Sequence, residues 1–370
     1  MRGAAVAPPA RASLGVLALG VAAVIGITAM LPALPDPALP GVFIVALLLG
    51  AAFVRLDFGF AGGFRALLEG GDGRAVAASF VIPAIAAAVI LPVAALAPGH
   101  GRFVAPIGLP LLLGAFVFGI GMQIANGCGS GVLVAAGQGS RRMWVALPFF
   151  CLGGVIGSLL LPMGLALPGF GTVDLLALLG PWGALLVVEA VLALGALALL
   201  RGARPEAARL RAGVLIGVLV ALLFLVSGMP WGITTGLALW GAKVVQALGF
   251  ELSATAFWME PWAAEALRGP LLAVHSSLAD IGLLLGALLA AAAGGGLRHG
   301  APLGRRGAVG AALGGLLMGI GTRLSFGCNV GAFIGGVGSA SLHGFVWFLA
   351  VLPGCWIGIR LRPLFGLPRR

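Results

Sequence analysis

Gly119-Ile120-Gly121-Met122-Gln123-Ile124-Ala125-Asn126-Gly127-Cys128-Gly129-Ser130-Gly131 returns 200 residues later as Gly319-Ile320-Gly321-Thr322-Arg323-Leu324-Ser325-Phe326-Gly327-Cys328-Asn329-Val330-Gly331. Without a gap, Gly114, Gly119, Ile120, Gly121, Gly127, Cys128 and Gly131 fall on Gly314, Gly319, Ile320, Gly321, Gly327, Cys328 and Gly331. That register is an internal repeat. Each copy places one thiol where an apolar helix is broken by glycine, the arrangement expected of a duplicated membrane protein built around a central pathway.

Working outward, the flanking chain is apolar almost throughout. Hydrophobic residues make up 61% of the 370 and charged residues 9%, with a mean hydropathy of +1.14, a composition that excludes a soluble domain of this length. Runs of about 20 apolar residues, without the short alternation of a barrel, indicate helical spans. Ten are read at 14–31, 41–54, 75–97, 107–125, 143–161, 173–200, 213–227, 269–293, 307–325 and 345–359. The first is taken as a retained helix rather than a signal peptide, because Pro32, Pro35 and Pro37 follow it and no small-residue cleavage site does.

The net charge of +11 does not point to nucleic acid, since the basic residues sit in short connections between apolar runs. With the amino terminus inside, ten crossings leave Arg102, Lys243 and Arg268 outside and Arg323 within a span. The other 18 of the 22 basic residues then face the cytoplasm, which places both termini there.

Four apolar segments are too short to cross: 58–68, 129–139, 231–248 and 331–341. They are read as re-entrant half-helices facing the bundle interior, because irregular backbone at membrane depth needs protein or a polar cavity around it. Each half then runs span, half-helix, span, span, half-helix, span. Five crossings separate equivalent points, so the copies are expected to be inverted. The expected fold is an all-α integral membrane protein, an inverted-repeat helical bundle. Its parts are an extra helix in 1–40, repeat 1 in 41–165, a linking helix and loop in 166–211, and repeat 2 in 212–370.

A half-helix starting after each cysteine would aim free backbone N–H groups and the positive end of its dipole at the space beside the sulfur. Gly127, Gly129 and Gly327 allow close approach, and Asn126, Ser130, Asn329 and Ser325 add donors. An anion suits such a place. Cys128 and Cys328 are therefore read as pathway residues, whereas Cys151 and Cys355, in roughly corresponding places of the closing spans, read as buried small hydrophobes. No CxxC pair suggests a metal or a dithiol centre. Arg323, five residues before Cys328 and opposite Gln123 in the repeat, is the candidate for attracting an anion. Pairing with Glu189 or Asp280 is its structural alternative. Lys243 fits either an outer vestibule or snorkelling to the interface. His275, Ser276, Ser277 and Asp280 read first as core hydrogen bonding, with a proton relay second.

The two glycine-cysteine segments, together with Pro230-Trp231-Gly232-Ile233-Thr234 and Trp240-Gly241-Ala242-Lys243, resemble the YeeE/YedE family of bacterial inner-membrane sulfur transporters from about Gly41 onward. The resemblance implies uptake of thiosulfate, with a branch tied to selenium, through an hourglass-shaped inverted repeat whose cysteine thiols pass the anion along by hydrogen bonds. Cys128 and Cys328 match the family's central cysteines. A third family cysteine falls on Ala61, in Arg55-Leu56-Asp57-Phe58-Gly59-Phe60-Ala61-Gly62-Gly63, so this chain has two thiols of the three. A cytoplasmic TusA-like sulfur carrier is the protein partner such a role implies, beside the membrane lipid. No cofactor is called for, and the absence of a P-loop lysine argues against ATP binding. From another class, a membrane thiol oxidoreductase cycling Cys128 and Cys328 through a disulfide fits the same cysteines, and so does a passive channel for a small neutral solute.

Overall fold

The computed structural model describes residues 13–298 and 303–369; Arg2, Arg11 and Arg370 of the charge count lie outside them. The protein is an all-α integral membrane protein. Among the described residues, ten helical stretches are long and apolar enough to cross a bilayer.

The first half follows the peripheral helix α1 (Leu14–Met30). It comprises α2 (Leu39–Arg55), the short α3 (Phe60–Gly70), α4 (Arg74–Ser79) running on into α5 (Val81–Leu96), strand β1 (Pro106–Gly108), α6 (Leu109–Ala125), the short α7 (Gly129–Gly137) and α8 (Arg141–Leu165). Strand β2 (Gly169–Thr172) pairs antiparallel with β1, and α9 (Leu175–Leu200) leads on. The second half comprises α10 (Ala207–Ser227), α11 (Thr234–Ala247), α12 (Pro261–Arg268), α13 (His275–Gly294) and α14 (Arg305–Leu324). A π-helical turn, Asn329–Gly335, then passes into a single α turn, α15 (Gly336–Gly338), and α16 (Leu342–Leu361) closes the chain.

Several boundaries differ from the sequence reading, each for a local reason. Residues 107 and 108 form an edge strand rather than the start of a span, because Pro110 sits in the first turn of α6 and fixes the helix start there. The span read at 269–293 begins only at His275, after Pro261 has started the separate amphipathic α12. The run 173–200 is bent, with Gly180 at φ 70° ahead of Pro181. The segment read as a half-helix after Cys328 is π-helical, a rare geometry that concentrates at functional positions.

At the centre α6 crosses α14, and each packs on the closing helix of the other half, α6 on α16 and α14 on α8. Further contacts come in matching sets: α2 on α13 with α10 on α5, α3 on α16 with α11 on α8, and α7 on α13 with the π-helical turn and α15 on α5. Glycine makes the central crossing. A Cβ on Gly114 would stand 2.7 Å from the Gly321 carbonyl oxygen and one on Gly321 2.6 Å from that of Gly114; Gly121 and Gly314 are related in the same way, at 2.7 and 2.8 Å. Without a hydrophobic drive between helices in lipid, such backbone-to-backbone contact is what holds a membrane bundle together.

The same packing shifts one sequence correspondence. Gly119 lies against Val351, Gly354 and Cys355, while Gly319 lies against Phe150, Gly153 and Gly154. Cys355 thus answers to Gly154, and the two closing-helix cysteines are not equivalent. Both are buried.

Candidate functional site

Helix α6 stops at Asn126 because that residue takes the left-handed conformation, φ 69° and ψ 34°, which asparagine tolerates better than most side chains. Gly127 follows, and Cys128, extended, caps the amino terminus of α7. Its Sγ accepts a hydrogen bond from the Gly131 N–H and lies 3.4 Å from Ser130 Oγ. The second break is built alike. Phe326 is left-handed at φ 60°, and Gly327 at φ 148° lies so close to the next turn that a Cβ would stand 2.5 Å from the Ala332 nitrogen. Cys328 caps the π-helical turn, its Sγ accepting from the Val330 N–H at 3.4 Å. Each sulfur therefore sits at the positive end of a short helix.

The two breaks meet inside the bundle. A Cβ built on Gly129, the residue after Cys128, would stand 3.0 Å from Cys328 Sγ, a tight contact, so the missing side chain eases the approach of the second thiol to the first helix start. Cys128 is 1% exposed and Cys328 0%; neither faces lipid. Next to Cys328 both amide atoms of Asn329 are buried with no hydrogen-bond partner among the described residues, and the same holds for Gln123 Oε1 on α6 and Arg323 Nε on α14. Uncompensated polar groups in an interior are expensive and mark a place prepared for something else.

A cavity of about 680 Å³ reaches this region from the end of the bundle that carries the loop residues Asp36, Phe103 and Met229. Trp231, Phe257 and Trp258 line it, and Arg323, Phe326 and Gly331 bring it up to the Cys328 break. Arg323 is 9% exposed, its guanidinium 4.4 Å over the Phe257 ring centroid and its stem against Gly157. Among the described residues it forms no ion pair, neither with Glu189 nor with Asp280. Asp280 itself is wholly buried, and both its oxygens lack a hydrogen-bond partner among the described residues.

The other candidates are placed as follows. Lys243 Nζ donates to the carbonyls of Leu267 and Gly269, at 2.8 and 2.7 Å, closing the end of α12 instead of lining the cavity. Ser325 Oγ donates to the Gly321 carbonyl and accepts from Trp347 Nε1, which fixes it as part of the frame. Ser277 accepts from Trp240 Nε1, and His275 pairs with Asp36 at 2.7 Å at the cavity wall. Ala61 is buried in α3, and its carbonyl accepts from Gln123 Nε2 at 3.1 Å. Arg65 and Arg362, which the sequence reading counted only as orientation markers, both reach Asn126 Oδ1. Chain position gives no hint of it, since 61 and 236 residues separate them from Asn126.

Residues 55–357 match the model of a family described as sulphur transport, a span that takes in both cysteine breaks and the whole of α6 and α14. The chain belongs to the sulphur-transport family. Its curated relatives include the thiosulfate transporter TsuA of Spirochaeta thermophila, 28% identical over 264 residues, which are 66% of this chain and 75% of TsuA. Others are the probable transporter YedE of Salmonella typhimurium, 30% identical over 154 residues, and YedE of Escherichia coli, 29% identical over the same length. Those two matches cover 41% of this chain and 37% of each YedE. The family and these relatives are transporters rather than enzymes.

Proposed function

We propose that this protein takes up thiosulfate or a closely related sulfur-containing anion through a central pathway in which Cys328 and Cys128 are successive hydrogen-bonding sites. The observation that carries the reading is the approach of Gly129 to Cys328 Sγ, which brings the second helix-capping thiol against the start of the helix that the first one caps. The likeness to a relative named as a thiosulfate transporter supplies the substrate class.

The order of sites follows from the chain. An anion entering the cavity meets Arg323 first, whose aromatic surroundings reduce competition from water. It then passes Phe326 to Cys328 with the Asn329 amide, and on to Cys128 with Ser130. A thiol is a weak, uncharged donor and helix amino termini contribute only partial charge. Moderate sites in series favour passage, where a row of fixed cations would trap the ion. In this reading residues 41–165 and 212–370 are oppositely oriented repeats, 1–40 and 166–211 lie outside them, and the arginine-rich end faces the cytoplasm of a bacterial inner membrane. A TusA-like sulfur carrier would receive the product there. Ala61 leaves two thiols to do the work, which makes a selenium species or another sulfur oxyanion the natural competitor to test.

Labelled thiosulfate, sulfite, sulfate and selenite offered to cells lacking their own importers test the proposal. The Cys128→Ala and Cys328→Ala variants are expected to lose uptake while remaining folded and membrane-inserted. A hydrogen bond to a charged group contributes about 1.5–3 kcal/mol, or about 10- to 100-fold in rate. Full uptake by both variants would refute the thiol role. A Cys128–Cys328 disulfide that forms and reopens in step with an external reductant, read by mass spectrometry, would instead favour electron transfer.

A further inference from the structure

Beneath Cys128, at the end of the bundle away from the cavity, three arginines converge on the last turn of α6. Arg142 donates to the Ala125 and Ile124 carbonyls at 2.9 and 2.6 Å, and Arg362 to the Gln123 carbonyl at 2.9 Å. Those contacts complete a helix carboxyl end in the ordinary way. What capping does not explain is Asn126 Oδ1, which accepts from Arg65 Nη1 at 3.2 Å and from Arg362 Nη1 at 3.0 Å. Two guanidinium groups that repel each other are drawn to one uncharged oxygen. Among the described residues no carboxylate pairs with Arg65, Arg142 or Arg362. Arg362 is 2% exposed, and Arg65 and Arg362 arrive from α3 and from the end of α16, elements of different halves.

We propose that Arg65, Asn126 and Arg362 form an inner gate and receiving site for a sulfur oxyanion, in which the Asn126 amide oxygen stands in for the anion while the path is shut. The inference rests on the transport reading above and deepens it, adding the step after Cys128. Asn126 is two residues from Cys128, so an oxyanion leaving that thiol comes directly upon the two guanidinium groups. Each guanidinium has five N–H donors; Arg65 spends one on Asn126, and Arg362 spends three, on Asn126, Gln123 and Pro368, which leaves its Nη2 group to receive an anion. An oxyanion carries charge and several acceptor oxygens; an amide offers one neutral oxygen. The ion therefore displaces the amide, takes both cations, and separates α3 from the end of α16 as it does so. At the cavity end the equivalent left-handed residue is Phe326, which has no such bridge, and there the way stands open.

Two substitutions at one position test this in opposite directions. Asn126→Asp puts a permanent carboxylate between the cations and is expected to hold the gate closed. Asn126→Gly keeps the left-handed turn, removes the bridging oxygen and is expected to open it. Inside-out vesicles are treated with a membrane-impermeant maleimide, and alkylation of the Cys128 peptide is followed by mass spectrometry. Alkylation should be at least about 5-fold faster in Asn126→Gly than in wild type and no faster in Asn126→Asp. Labelled thiosulfate uptake should fall at least about 10-fold in Asn126→Asp. Arg65→Gln, which leaves the bonds of Arg142 and Arg362 to the α6 carbonyls in place, should speed alkylation as Asn126→Gly does. Equal alkylation in all four proteins, or wild-type uptake by Asn126→Asp, would overturn the gate. A wild type that carries no thiosulfate would overturn the substrate reading alone, because the alkylation rates still decide the gate.

Discussion

At the scale of single residues, Arg323 and Gln123 occupy equivalent places in the two halves, each beside a glycine of a closing helix, Gly157 and Gly358. One is a cation facing a cavity, the other an amide bound to Ala61. That asymmetry sets the two halves apart, since only the second carries a cation at this place in its broken helix. An ion pair at about 4 Å in an effective dielectric of about 20 is worth about 4 kcal/mol before desolvation takes its share. Arg323→Gln, which copies the other half, is expected to raise the KM for uptake about 10-fold and to change the maximal rate less than 2-fold; a fall in rate at unchanged KM would assign Arg323 to the frame. Cys128 and Cys328 were legible in the sequence because glycine, a polar neighbour and a second copy agreed on them. Arg65 and Arg362 were not, because an arginine at a membrane edge looks the same whether it marks topology or holds an amide. Lys243 misled for the related reason that its partners are backbone carbonyls, which no side-chain pattern announces.

Among the elements, the crossing of α6 and α14 fixes where the two breaks fall. Four glycines, Gly114, Gly121, Gly314 and Gly321, bring the helix backbones together, and the cysteines lie one to two turns beyond. Forcing a large side chain into packed structure costs about 1–3 kcal/mol, and here the obstacle is backbone, which cannot rotate away. Gly121→Leu and Gly321→Leu are each expected to lower thermal stability in detergent and to abolish uptake. Gly62→Ala, on α3 with open space around the new methyl, should leave both unchanged. If Gly321→Leu melted like wild type, the close crossing would be no determinant of the fold. Nearly every long helix could be read from its apolar run, and the short ones flanking the cysteines from the breaks themselves. The π-helical turn and α12 could not: the first depends on how Cys328 and Gly331 pack, and the second is an amphipathic segment whose neutral face resembles a loop. The alignment of Cys151 with Cys355 failed for a physical reason too, because helix contacts are set by the glycines at 153 and 354 and not by the thiols.

Across the whole molecule, one ion pair ties together parts that the repeat leaves separate. Arg102, in the connection between α5 and α6, donates through Nη1 and Nη2 to the two oxygens of Asp174, at 2.7 and 2.6 Å, and through Nη1 to the Ser339 carbonyl. Asp174 in turn caps α9, accepting from the Leu176 and Ala177 N–H groups, and its backbone bridges to Ser341 before α16. The linking helix, the first half and the end of the second half's broken helix are therefore held at one point, at the end of the bundle where the cavity opens. The Arg102 guanidinium, with the α9 N–H groups, holds the Asp174 carboxyl below the usual carboxylate range. A folded-state value below the unfolded one means that the stabilisation is fully present above about pH 4, the unfolded value, and is lost as the pH falls through the folded value. Asp174→Asn keeps a capping side chain but removes the charge, so it should melt at a lower temperature than wild type at pH 6, with the two curves converging as the pH is taken below 4. Arg102→Gln should behave in the same way, because it removes the other partner of the same pair. A gap between wild type and Asp174→Asn that stays constant down to pH 2.5 in nanodiscs would show that capping geometry, and not the ion pair, is what secures this junction.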